Sequence, residues 1–584
     1  MDNPSPSPFL VFDFCDRQGR LHRLGFRDPS EIVIAQSADQ VRPALQRVHQ
    51  SVAAGLWAAG YISYEAAPAF DSALLVHEGA RIPLVWFGLF RKPVEVSSAG
   101  PDDGFHLSDW QPTIRRSRYD RNIAAVREAI ARGDTYQVNY TMRLRARFEG
   151  NDFTFYQRLR HAQHASYCAY LNMGRYRILS ASPELFFRWQ GSQIVTRPMK
   201  GTVRRGRWAE EDDALAAWLA ASEKNRAENV MIVDLLRNDL GRVAEIGSVH
   251  VPRLFEIERY RTVFQMTSTV AAKVPSSTTL EDVFAALFPS GSITGAPKVS
   301  TMQLIAELEE EPRNIYCGAI GLVTPGGEAI FNVAIRTVLL DSQTGAAEYG
   351  VGGGITWDST AEDEYAEALV KAALLAEEWP RFDLLETFRL ENGAYSLLDS
   401  HLQRLITSAH YFDIPLSVER VRSTLEEHAR AHPSGARRVR LLVSPEGAVR
   451  IESDPMDLSS QASLPVALAS KPISRFNRFL FHKITCRSVY DQHRLQHPEV
   501  FDVLLWNEEG ELTEFTIGNL VMEMDGQRWT PPRESGLLAG TFRAHLIGRG
   551  EIRERVLTRA DLEAASHLWL INSVRGWVPV HLVP

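Results

Sequence analysis

The stretch Pro198-Met199-Lys200-Gly201-Thr202 places one lysine between a rigid proline and a flexible glycine. A lysine amine is a nucleophile only when it is neutral, so its reference pKa of about 10.4 must fall by roughly three units, about 4 kcal/mol, near neutral pH. Burial and neighbouring cations lower a lysine pKa in this way. We therefore take Lys200 as a candidate nucleophile, against the alternative of a surface lysine in a turn.

A basic cluster follows this lysine. Arg204-Arg205-Gly206-Arg207 concentrates three cations in four residues, although the chain as a whole carries a net charge of −8. An acidic protein with only a local basic cluster is not a typical nucleic-acid binder, which needs a broad basic surface. We predict that the cluster binds a small anionic ligand.

Glu184 is a candidate general acid or base. It lies in Ser182-Pro183-Glu184-Leu185-Phe186, where a strand-like stretch ends just before the lysine segment. A carboxylate in apolar surroundings has a raised pKa and can exchange protons near neutral pH. Taken alone, a structural or solvated glutamate is the more common case.

A helix predicted over residues 227–242 carries Glu228 on a mostly apolar face, with Gly241 as its C′ terminator. A glutamate in that position needs a cation, a metal or a hydrogen-bond network as its partner. Arg237 and Arg242 offer cations for anionic groups of a substrate. The alternative is a helix with buried ion pairs.

The glycine-rich segment Gly350–Gly354 is predicted to turn the chain into a second acidic helix, with Thr360 as its N-cap. Glu364 and Glu367 are three residues apart and share a face of this helix. Together with Glu228 they would make a hard oxygen site suited to Mg²⁺, which prefers a few carboxylates, waters and an anionic ligand. The alternative is a solvated acidic face.

Two further segments could contact an anionic substrate. The small residues Gly295 and Ala296 let the backbone approach a ligand, and the helix that follows offers free N–H groups beside Lys298. The loop lacks the spacing of a nucleotide-binding P-loop. Residues 332–337 read as a strand with alternating faces, on which Arg336 could clamp a carboxylate.

A second candidate lysine, Lys483, lies in the C-terminal half within Phe481-His482-Lys483-Ile484-Thr485. Pyridoxal phosphate (PLP) needs an amine for its Schiff base, an acid beside its pyridine nitrogen and donors for its phosphate. Lys483 and Glu514 could supply the first two. The candidate donors and supporting residues are Arg404, Thr541, Asn519 and Ser573. Taken alone, none of these residues indicates a cofactor site, because a charged helix with an arginine is usually just solvated.

The composition bounds the class of protein. A chain of 584 residues with 45 % hydrophobic and 23 % charged residues predicts two or three globular domains. Four scattered cysteines without a CxxC pair fit reduced thiols in the cytoplasm, with neither a disulfide framework nor a zinc site. We see no signal peptide in Met1–Pro6, and no apolar run approaches the ~20 residues of a membrane span.

The hydrophobic pattern predicts the elements that position these residues. We expect strands over residues 9–14, 59–64, 84–90 and 382–390, and helices over residues 118–132, 280–288 and about 360–378. A loop at residues 274–279 precedes the helix at 280. Trp379-Pro380 ends the helix before it, because proline cannot continue a helix. We place the main domain boundary there, near residue 380.

Taken in order, the motifs of the first half resemble the chorismate-utilising enzymes, over residues of about 110 to 378. The resemblance implies an α+β fold of antiparallel sheets with flanking helices. It also implies that Glu228 and Glu367, with Glu364 nearby, hold Mg²⁺ and that Arg336 clamps a carboxylate. By the same resemblance Gly295, Ala296 and Lys298 face the substrate. We also take Thr202, Arg237 and Arg242 as candidate substrate contacts.

Lys200 distinguishes branches of that family. Anthranilate synthases typically carry alanine in the segment matching Pro198–Thr202, whereas aminodeoxychorismate synthases carry lysine. Isochorismate synthases place a water-activating lysine where this chain has Gln137. The resemblance is therefore closest to aminodeoxychorismate synthase component I. Many relatives have histidine where this chain has Gln265, an amide that cannot act as an acid or base.

The second half resembles the fold-type IV PLP enzymes, an α/β class that includes branched-chain and D-amino-acid aminotransferases and aminodeoxychorismate lyase. The resemblance spans residues of about 382 to 584. It implies that Lys483 forms the Schiff base and that Glu514 pairs with the pyridine nitrogen. It also implies that Arg404 and Thr541 bind the phosphate, with Asn519 and Ser573 nearby.

The two resemblances predict one bifunctional enzyme. Residues 1–380 (1–110 as an N-terminal part and 111–378 as the chorismate-binding core) would make 4-amino-4-deoxychorismate from chorismate and ammonia. Residues 381–584 would eliminate pyruvate from it to give 4-aminobenzoate for folate biosynthesis. We expect a cytoplasmic enzyme with a separate glutamine amidotransferase partner and a possible homodimer. The alternatives are an anthranilate synthase component fused to an aminotransferase, and a C-terminal half that serves as a non-catalytic scaffold.

Overall fold

A computed structural model describes residues 7–16, 19–96, 104–376, 379–457 and 462–583. The chain divides into two compact units. The first unit comprises residues 1–204 and 216–379, and the second comprises residues 205–215 and 380–584. A short segment of the N-terminal half therefore belongs to the C-terminal unit.

The strands before residue 377 are, in chain order, β1 Phe9–Cys15, β2 Leu21–Arg27, β3 Glu31–Ala35, β4 Trp57–Ile62, β5 Val85–Phe90, β6 Phe105–Leu107, β7 Gln111–Pro112, β8 Gln137–Gly150, β9 Tyr167–Asn172, β10 Tyr176–Ser182, β11 Leu185–Gln190, β12 Gln193–Arg197, β13 Met199–Arg204, β14 His250–Arg259, β15 Val263–Lys273, β16 Gly295–Ala296, β17 Ala319–Val323, β18 Ala329–Val333, β19 Thr337–Asp341 and β20 Ala346–Ile355. The helices in the same part of the chain are α1 Ala38–Ala53, α2 Arg116–Arg132, α3 Asp152–Gln163, α4 Ala209–Ala221, α5 Glu223–Gly241, α6 Leu280–Leu287, α7 Lys298–Leu308 and α8 Ala361–Ala372.

The strands of the first unit form two antiparallel sheets of ten strands each within the described residues. One sheet runs in the order β16-β8-β20-β19-β10-β9-β1-β2, with β6 and β7 paired to β8. The other runs in the order β13-β15-β12-β11-β18-β17-β4-β5-β3, with β14 paired to β15. Buried apolar residues of both sheets and of helices α1, α2, α3, α5 and α6 form the cores of this unit.

The strands after residue 380 are β21 Leu384–Glu391, β22 Ala394–Tyr395, β23 Ala436–Val443, β24 Val449–Pro455, β25 Leu464–Leu468, β26 Asp502–Trp506, β27 Leu512–Phe515, β28 Asn519–Met524, β29 Gln527–Thr530, β30 Arg553–Glu554, β31 His567–Asn572 and β32 Gly576–Leu582. The helices are α9 Leu398–Tyr411, α10 Val418–Ala431, α11 Ser488–Leu495, α12 Thr541–Gly548 and α13 Asp561–Ala564.

The second unit combines a four-stranded sheet, ordered β22-β21-β23-β24, with an eight-stranded mixed sheet, ordered β27-β26-β25-β32-β31-β28-β29-β30. In the larger sheet β25 pairs in parallel with both β26 and β32. These two architectures confirm the predicted fold classes of the two halves.

Most predicted elements are present with small changes at their ends. The strand predicted to reach residue 64 ends at Ile62, because Tyr64 begins a 3-10 helix. The helix at Thr360 is capped as predicted, since the Thr360 hydroxyl accepts the backbone N–H of Asp363. It ends at Ala372 and is followed by a 3-10 turn, and its predicted end at residue 378 lies outside the described residues.

Three local predictions are wrong. Residues 332–337 do not form one strand, because the chain leaves β18 at Val333 and joins β19, in the other sheet, at Thr337. The glycines at 350–354 do not form a turn but lie inside β20. Gly241 is the last residue of α5 rather than a left-handed terminator, and the helix is capped by Arg242 in a right-handed conformation.

A search of the described residues for a helix long and apolar enough to cross a membrane finds none. The predicted absence of a signal peptide concerns residues 1–6, which lie outside the described residues.

Candidate active sites

A cavity of about 510 Å³ in the first unit brings together most of the predicted site residues of that half. Its walls come from β13, α5, β20, α8 and the turn before β19. The predicted residues that line it are Glu184, Lys200, Thr202, Glu228, Arg336, Glu364 and Glu367. Motifs separated by more than 180 residues in the sequence therefore converge on one site.

Lys200 is aimed into this cavity by a β-bulge. The register between β13 and β15 shifts between Met199 and Thr202, so Lys200 and Gly201 lie in the irregular stretch. Gly201 has a φ of +92°, a left-handed conformation that favours glycine. A bulge of this kind redirects a side chain relative to the regular alternation of a strand. The left-handed backbone of the bulge therefore explains why a glycine follows the lysine.

The surroundings of Lys200 favour its neutral form. Burial is the main cause that lowers the pKa of this lysine, and the charge of Lys371 lowers it further, against the opposing attraction of Glu228. A Cβ on Gly354 would lie 2.3 Å from the Lys200 Nζ and 2.5 Å from the Gln137 Nε2. The lysine amine therefore fills the space that a side chain on β20 would need.

Glu184 is buried in the same cavity, with 3 % of its surface exposed. Burial raises its pKa to about 7, and a hydrogen bond with Ser292 and the charge of Lys200 oppose that rise. A carboxyl group with this pKa exchanges a proton near neutral pH, as the sequence predicts for a general acid or base.

Two amides complete the surroundings of the lysine. Gln137 is fully buried, and neither its Oε1 nor its Nε2 has a hydrogen-bond partner among the described residues. Gln265 lines the cavity and donates from Nε2 to the Thr202 hydroxyl over 3.4 Å. Its buried Oε1 also lacks a partner in the described part of the chain. Both side chains therefore have hydrogen-bonding capacity that the described residues do not use.

The three predicted metal ligands face the same cavity but do not form a cluster. Burial raises the pKa of Glu228 and of Glu364. Glu367 instead pairs with Lys371 over 2.7 Å, and this charge lowers its pKa. Within the described ranges no group of three acidic, histidine or cysteine side chains could hold a metal ion. The carboxylates have the chemistry that Mg²⁺ prefers, whereas Glu367 has a cationic partner in this arrangement.

Arg336 lies at the point where the chain passes from one sheet to the other. Its φ of +53° is a left-handed conformation, uncommon for a residue with a side chain. Its guanidinium lines the cavity and donates to the backbone carbonyl of Lys371. Unusual backbone conformations of this kind occur at functional sites where the surrounding structure holds them.

Five predicted substrate contacts do not line the cavity. Lys298 is bound to Asp239 over 2.8 Å, and Arg237 pairs with Asp234 over 2.7 Å. Arg242 caps α5. Gly295 and Ala296 pair with Val138 and Gln137 on β8. Lys298 and Arg237 thus have carboxylate partners, and Arg242 contributes its backbone N–H to the cap of α5. In the loop before β16, Ser292 and Ile293 line the cavity instead.

A second cavity, of about 800 Å³, lies in the second unit. It brings together all the predicted cofactor residues, which are Lys483, Glu514, Arg404, Thr541, Asn519 and Ser573. The backbone carbonyl of Lys483 accepts the N–H of Leu385 over 2.9 Å, which ties the lysine segment to β21. Burial and the charge of Arg404 lower the pKa of Lys483 to about 8.

Glu514 is held on β27 by three donors. It accepts hydrogen bonds from the Tyr490 hydroxyl at 2.8 Å, the Leu538 N–H at 3.1 Å and the Asn519 amide at 3.3 Å. Burial nevertheless raises its pKa to about 7. A buried carboxyl group with no cationic partner among these donors is suited to a basic ring nitrogen.

A buried network organises the other end of the cavity. Arg404 donates twice to Glu386, at 2.8 and 2.7 Å, and His401 Nδ1 lies 2.6 Å from the same carboxylate. Burial alone would raise the pKa of Glu386, but the charge and hydrogen bonds of Arg404 and His401 lower it to about 2. His401 Nε2 lies 3.1 Å from the Thr541 hydroxyl, at the start of α12.

This end of the cavity is suited to a phosphate group. Helix starts bind anions through their free N–H groups. Gly540 caps α12, and a Cβ at that position would lie 2.1 Å from the Asn519 Oδ1. The Asn519 amide therefore occupies the space that a side chain at Gly540 would need, and the start of α12 lines the same cavity as Arg404. Ser573 reaches the same cavity and donates to the Thr387 carbonyl over 3.4 Å.

Sequence reasoning missed Lys371, Gly354, Glu386 and His401. Two of these had a recognisable signal. Lys371 stands four residues after Glu367 on one helix, a spacing that brings opposite charges together. His401 stands three residues before Arg404 on α9, so the two side chains share a face. Gly354 and Glu386 depend on packing between strands that are distant in the sequence.

Comparison with known proteins gives a family match for each half of the chain. Residues 12–377 match the family of chorismate binding enzymes. The chain belongs to that family. Residues 383–583 match the class IV amino-transferases, and the second cavity lies within the region of that match. The resemblances stated from the motifs are confirmed for both halves.

Two relatives illustrate the position of the chain within the family. It is 41 % identical over 300 residues to aminodeoxychorismate synthase component 1 of Escherichia coli (strain K12), which covers 51 % of this chain and 64 % of the relative. It is 39 % identical over 278 residues to anthranilate synthase component 1 of Aquifex aeolicus (strain VF5), covering 47 % and 56 %. The chain therefore spans less than two thirds of the length of each.

Solved structures support the fold of the first half. Anthranilate synthase component I from Streptococcus pneumoniae TIGR4 superposes with a TM-score of 0.52 at 26 % identity, covering 65 % of this chain and 93 % of that one. A putative 2,3-dihydroxybenzoate-specific isochorismate synthase from Bacillus anthracis gives a TM-score of 0.53 at 18 % identity, covering 64 % and 96 %. The latter likeness concerns the fold alone.

Proposed function

We propose that the first unit converts chorismate and ammonia to 4-amino-4-deoxychorismate and water. The observation that carries this proposal is a buried lysine with a lowered pKa in the cavity of a chorismate binding enzyme. Glu184, with a pKa of about 7, supplies an acid in the same cavity.

The residues suggest a two-step displacement. Neutral Lys200 attacks ring carbon 2, and the 4-hydroxyl leaves as water with a proton from Glu184. Ammonia then attacks carbon 4, the bond between carbon 2 and the lysine nitrogen breaks, and the excess proton of the new amine returns to Glu184. Dividing one difficult displacement into two easier ones is the usual benefit of covalent catalysis. The cationic Arg336 binds a substrate carboxylate.

This proposal includes a Mg²⁺ ion with Glu228 and Glu367 as its ligands and Glu364 nearby. Their hard oxygen atoms suit the ion, which would neutralise carboxylate charge of the substrate. Binding would require Glu367 to exchange its partner Lys371 for the ion. Titration of the chorismate-free protein with Mg²⁺ by calorimetry tests this, because a Glu367→Gln variant should bind at least tenfold more weakly.

For the second unit we propose a PLP-dependent lyase that acts on the product of the first. The substrate would lose the proton on carbon 4, and the bond between ring carbon 3 and the enolpyruvyl oxygen would break. The departing enolate would take up a proton to become pyruvate, which leaves 4-aminobenzoate. PLP supplies an electron sink when it is bound. Lys483 would hold the cofactor and move the proton, Glu514 would face the pyridine nitrogen, and Arg404 and Thr541 would bind the phosphate.

The partner in this proposal is a glutamine amidotransferase that delivers ammonia. The name of the relative, component 1 of a synthase, supports a second component. A homodimer formed through the second unit is a further expectation that rests on the resemblance to fold-type IV enzymes. Gel filtration with and without an added amidotransferase subunit tests both associations.

One assay tests the two reactions together. The purified protein is incubated with chorismate, Mg²⁺ and ammonium, with and without PLP, and the aromatic products are identified. We expect 4-aminobenzoate with PLP and aminodeoxychorismate without it. Anthranilate as the product would favour the anthranilate synthase alternative, which is supported by the similarity to that enzyme. A protein that binds no PLP would favour the scaffold alternative for the second unit.

A further inference from the structure

The segment of residues 205–215 belongs to the unit that contains Lys483, although it lies in the half that matches the chorismate binding enzymes. The class IV match begins only at residue 383. The segment is therefore a part of the second unit that the family match of that unit does not include.

The start of the segment is a rigid turn. Arg205 and Asp212 form a buried ion pair through contacts of 2.8, 3.0 and 2.8 Å, and the Gly206 N–H donates to the same carboxylate over 2.8 Å. A Cβ on Gly206 would lie 2.2 Å from the backbone nitrogen of Asp212. The predicted anion-binding role is thus wrong for Arg205, whose buried partner is a carboxylate of its own segment.

This turn is bound to α9 on one side. Arg205 Nη2 donates to the Tyr411 carbonyl over 2.9 Å, and the Tyr411 hydroxyl donates to the Gly206 carbonyl over 2.6 Å. The guanidinium of Arg205 lies 4.7 Å from the centre of the Tyr411 ring. These reciprocal contacts fix the position of the Tyr411 side chain.

The turn is packed against the lysine segment on the other side. Trp208 is buried in a hydrophobic cluster with Leu480 and Phe481, and its ring centre lies 5.1 Å from that of Phe481. His482, the residue directly before Lys483, packs against Tyr411 with tilted rings whose centres are 4.3 Å apart. Both residues that precede the lysine therefore pack against the turn or against the side chain that it fixes.

The lowered pKa of His482 reflects the burial of this environment. Burial and the charge of Arg533 lower its pKa to about 3, so the ring is neutral. Its Nδ1 lies 3.1 Å from the Ser408 hydroxyl, and the residue lines the same cavity as Lys483. A neutral histidine adds no positive charge beside the lysine.

We propose that residues 205–215 position the cofactor-binding lysine of the second unit, with Trp208 and the Arg205–Asp212 pair as the positioning residues. The lysine segment is tied to β21 through the Lys483 carbonyl and the Leu385 N–H, 2.9 Å apart, and the turn fixes Phe481 and His482 just before it. The inference rests on the proposed function only in taking Lys483 as the residue that binds PLP.

Trp208→Ala removes the ring that covers Phe481 and leaves both sites chemically complete. Loss of this packing admits water, so the pKa of Lys483 should rise from about 8 towards its ordinary value. Apoenzyme is mixed with PLP across a pH series, and the rate of appearance of the visible Schiff-base band is recorded. We expect the midpoint of that profile to move upward and the Kd for PLP to rise at least tenfold.

Trp357→Ala is the matched control, because Trp357 is an exposed tryptophan of the first unit that lines neither cavity. It should leave the pH profile and PLP binding unchanged, and Trp208→Phe should restore both. Trp208→Leu provides the same comparison if the alanine variant does not fold. An unchanged midpoint and an unchanged Kd in Trp208→Ala would overturn the inference, whereas a wild-type protein that binds no PLP would instead overturn the proposed lyase function.

Discussion

Lys200 and Gly354 occupy adjoining positions in the first cavity, so that a Cβ on the glycine would lie 2.3 Å from the lysine Nζ. The glycine stands inside β20, opposite Asn139 of β8. The candidate nucleophile therefore depends on a missing side chain in a strand that is more than 150 residues away in the sequence.

Gly354→Ala tests this relationship. The new methyl group must displace the lysine amine, and a misplacement of about 1 Å can lower the rate by about 10²-fold. We expect a loss of that size in aminodeoxychorismate formation with ammonium as the nitrogen source. Gly326→Ala is the control, since a Cβ there would meet only the Thr324 hydroxyl at 3.6 Å. Equal activity of the two variants would contradict the assignment.

The pH dependence of the first reaction should be bell-shaped. A rise in pH deprotonates Lys200 and so increases the fraction of nucleophile, with a midpoint below the ordinary lysine pKa because burial lowers it. The same rise removes the proton of Glu184, whose pKa of about 7 sets the alkaline limb. The measurement is kcat/KM for chorismate against pH.

Glu184→Gln distinguishes the two limbs of that profile. The amide has no proton to give, so we expect a rate loss of roughly 10²- to 10⁴-fold and the disappearance of the alkaline limb. An alkaline limb that persists in this variant would assign it to another group. Thermal unfolding of the variant checks that the fold is intact.

Local sequence patterns predicted much of this site. The Lys-Gly pair predicted a flexible position, and the bulge at Gly201 uses it. The helix spacings placed Glu228, Glu364 and Glu367 on faces that turn out to line one cavity. Such patterns report the surroundings of a residue along one element, so they succeed where the site is built from regular elements.

Contacts between distant segments escaped these patterns. Arg336 was expected on a strand, but the chain passes from one sheet to the other at this residue, and its backbone is left-handed. Lys298 was expected to face substrate, but Asp239 from another helix neutralises it. Residues 205–215 belong to the second unit, which no local pattern indicates. Each of these contacts depends on a residue that is distant in the sequence but close in the folded chain.

Glu386→Gln should destabilise the second unit. The buried carboxylate balances Arg404 and His401, and removing one partner of a buried ion pair costs about 3–5 kcal/mol. Because folding lowers its pKa to about 2, the stabilisation is complete above the ordinary glutamate pKa of about 4.3 and is lost as pH falls towards 2. Denaturant unfolding at pH 7 and at pH 3 should therefore show a smaller difference from wild type at the lower pH.

The exposed pair of Glu446 with Arg381 provides the control for this measurement. Glu446→Gln removes a carboxylate from the same unit, but solvent screens the pair, so no change in unfolding is expected. A difference between Glu386→Gln and wild type that stays constant from pH 7 to pH 3 would show that the effect is steric rather than electrostatic.

Lys483→Ala should separate the two reactions. The first cavity is unchanged by this substitution, so chorismate is consumed at the wild-type rate, while 4-aminobenzoate falls to background and aminodeoxychorismate accumulates. Lys471→Ala, which removes an exposed lysine of the same unit, should convert chorismate fully to 4-aminobenzoate. Chromatography of a time course with PLP present measures all three compounds. Continued formation of 4-aminobenzoate by Lys483→Ala would show that another residue, or spontaneous elimination, carries the second step.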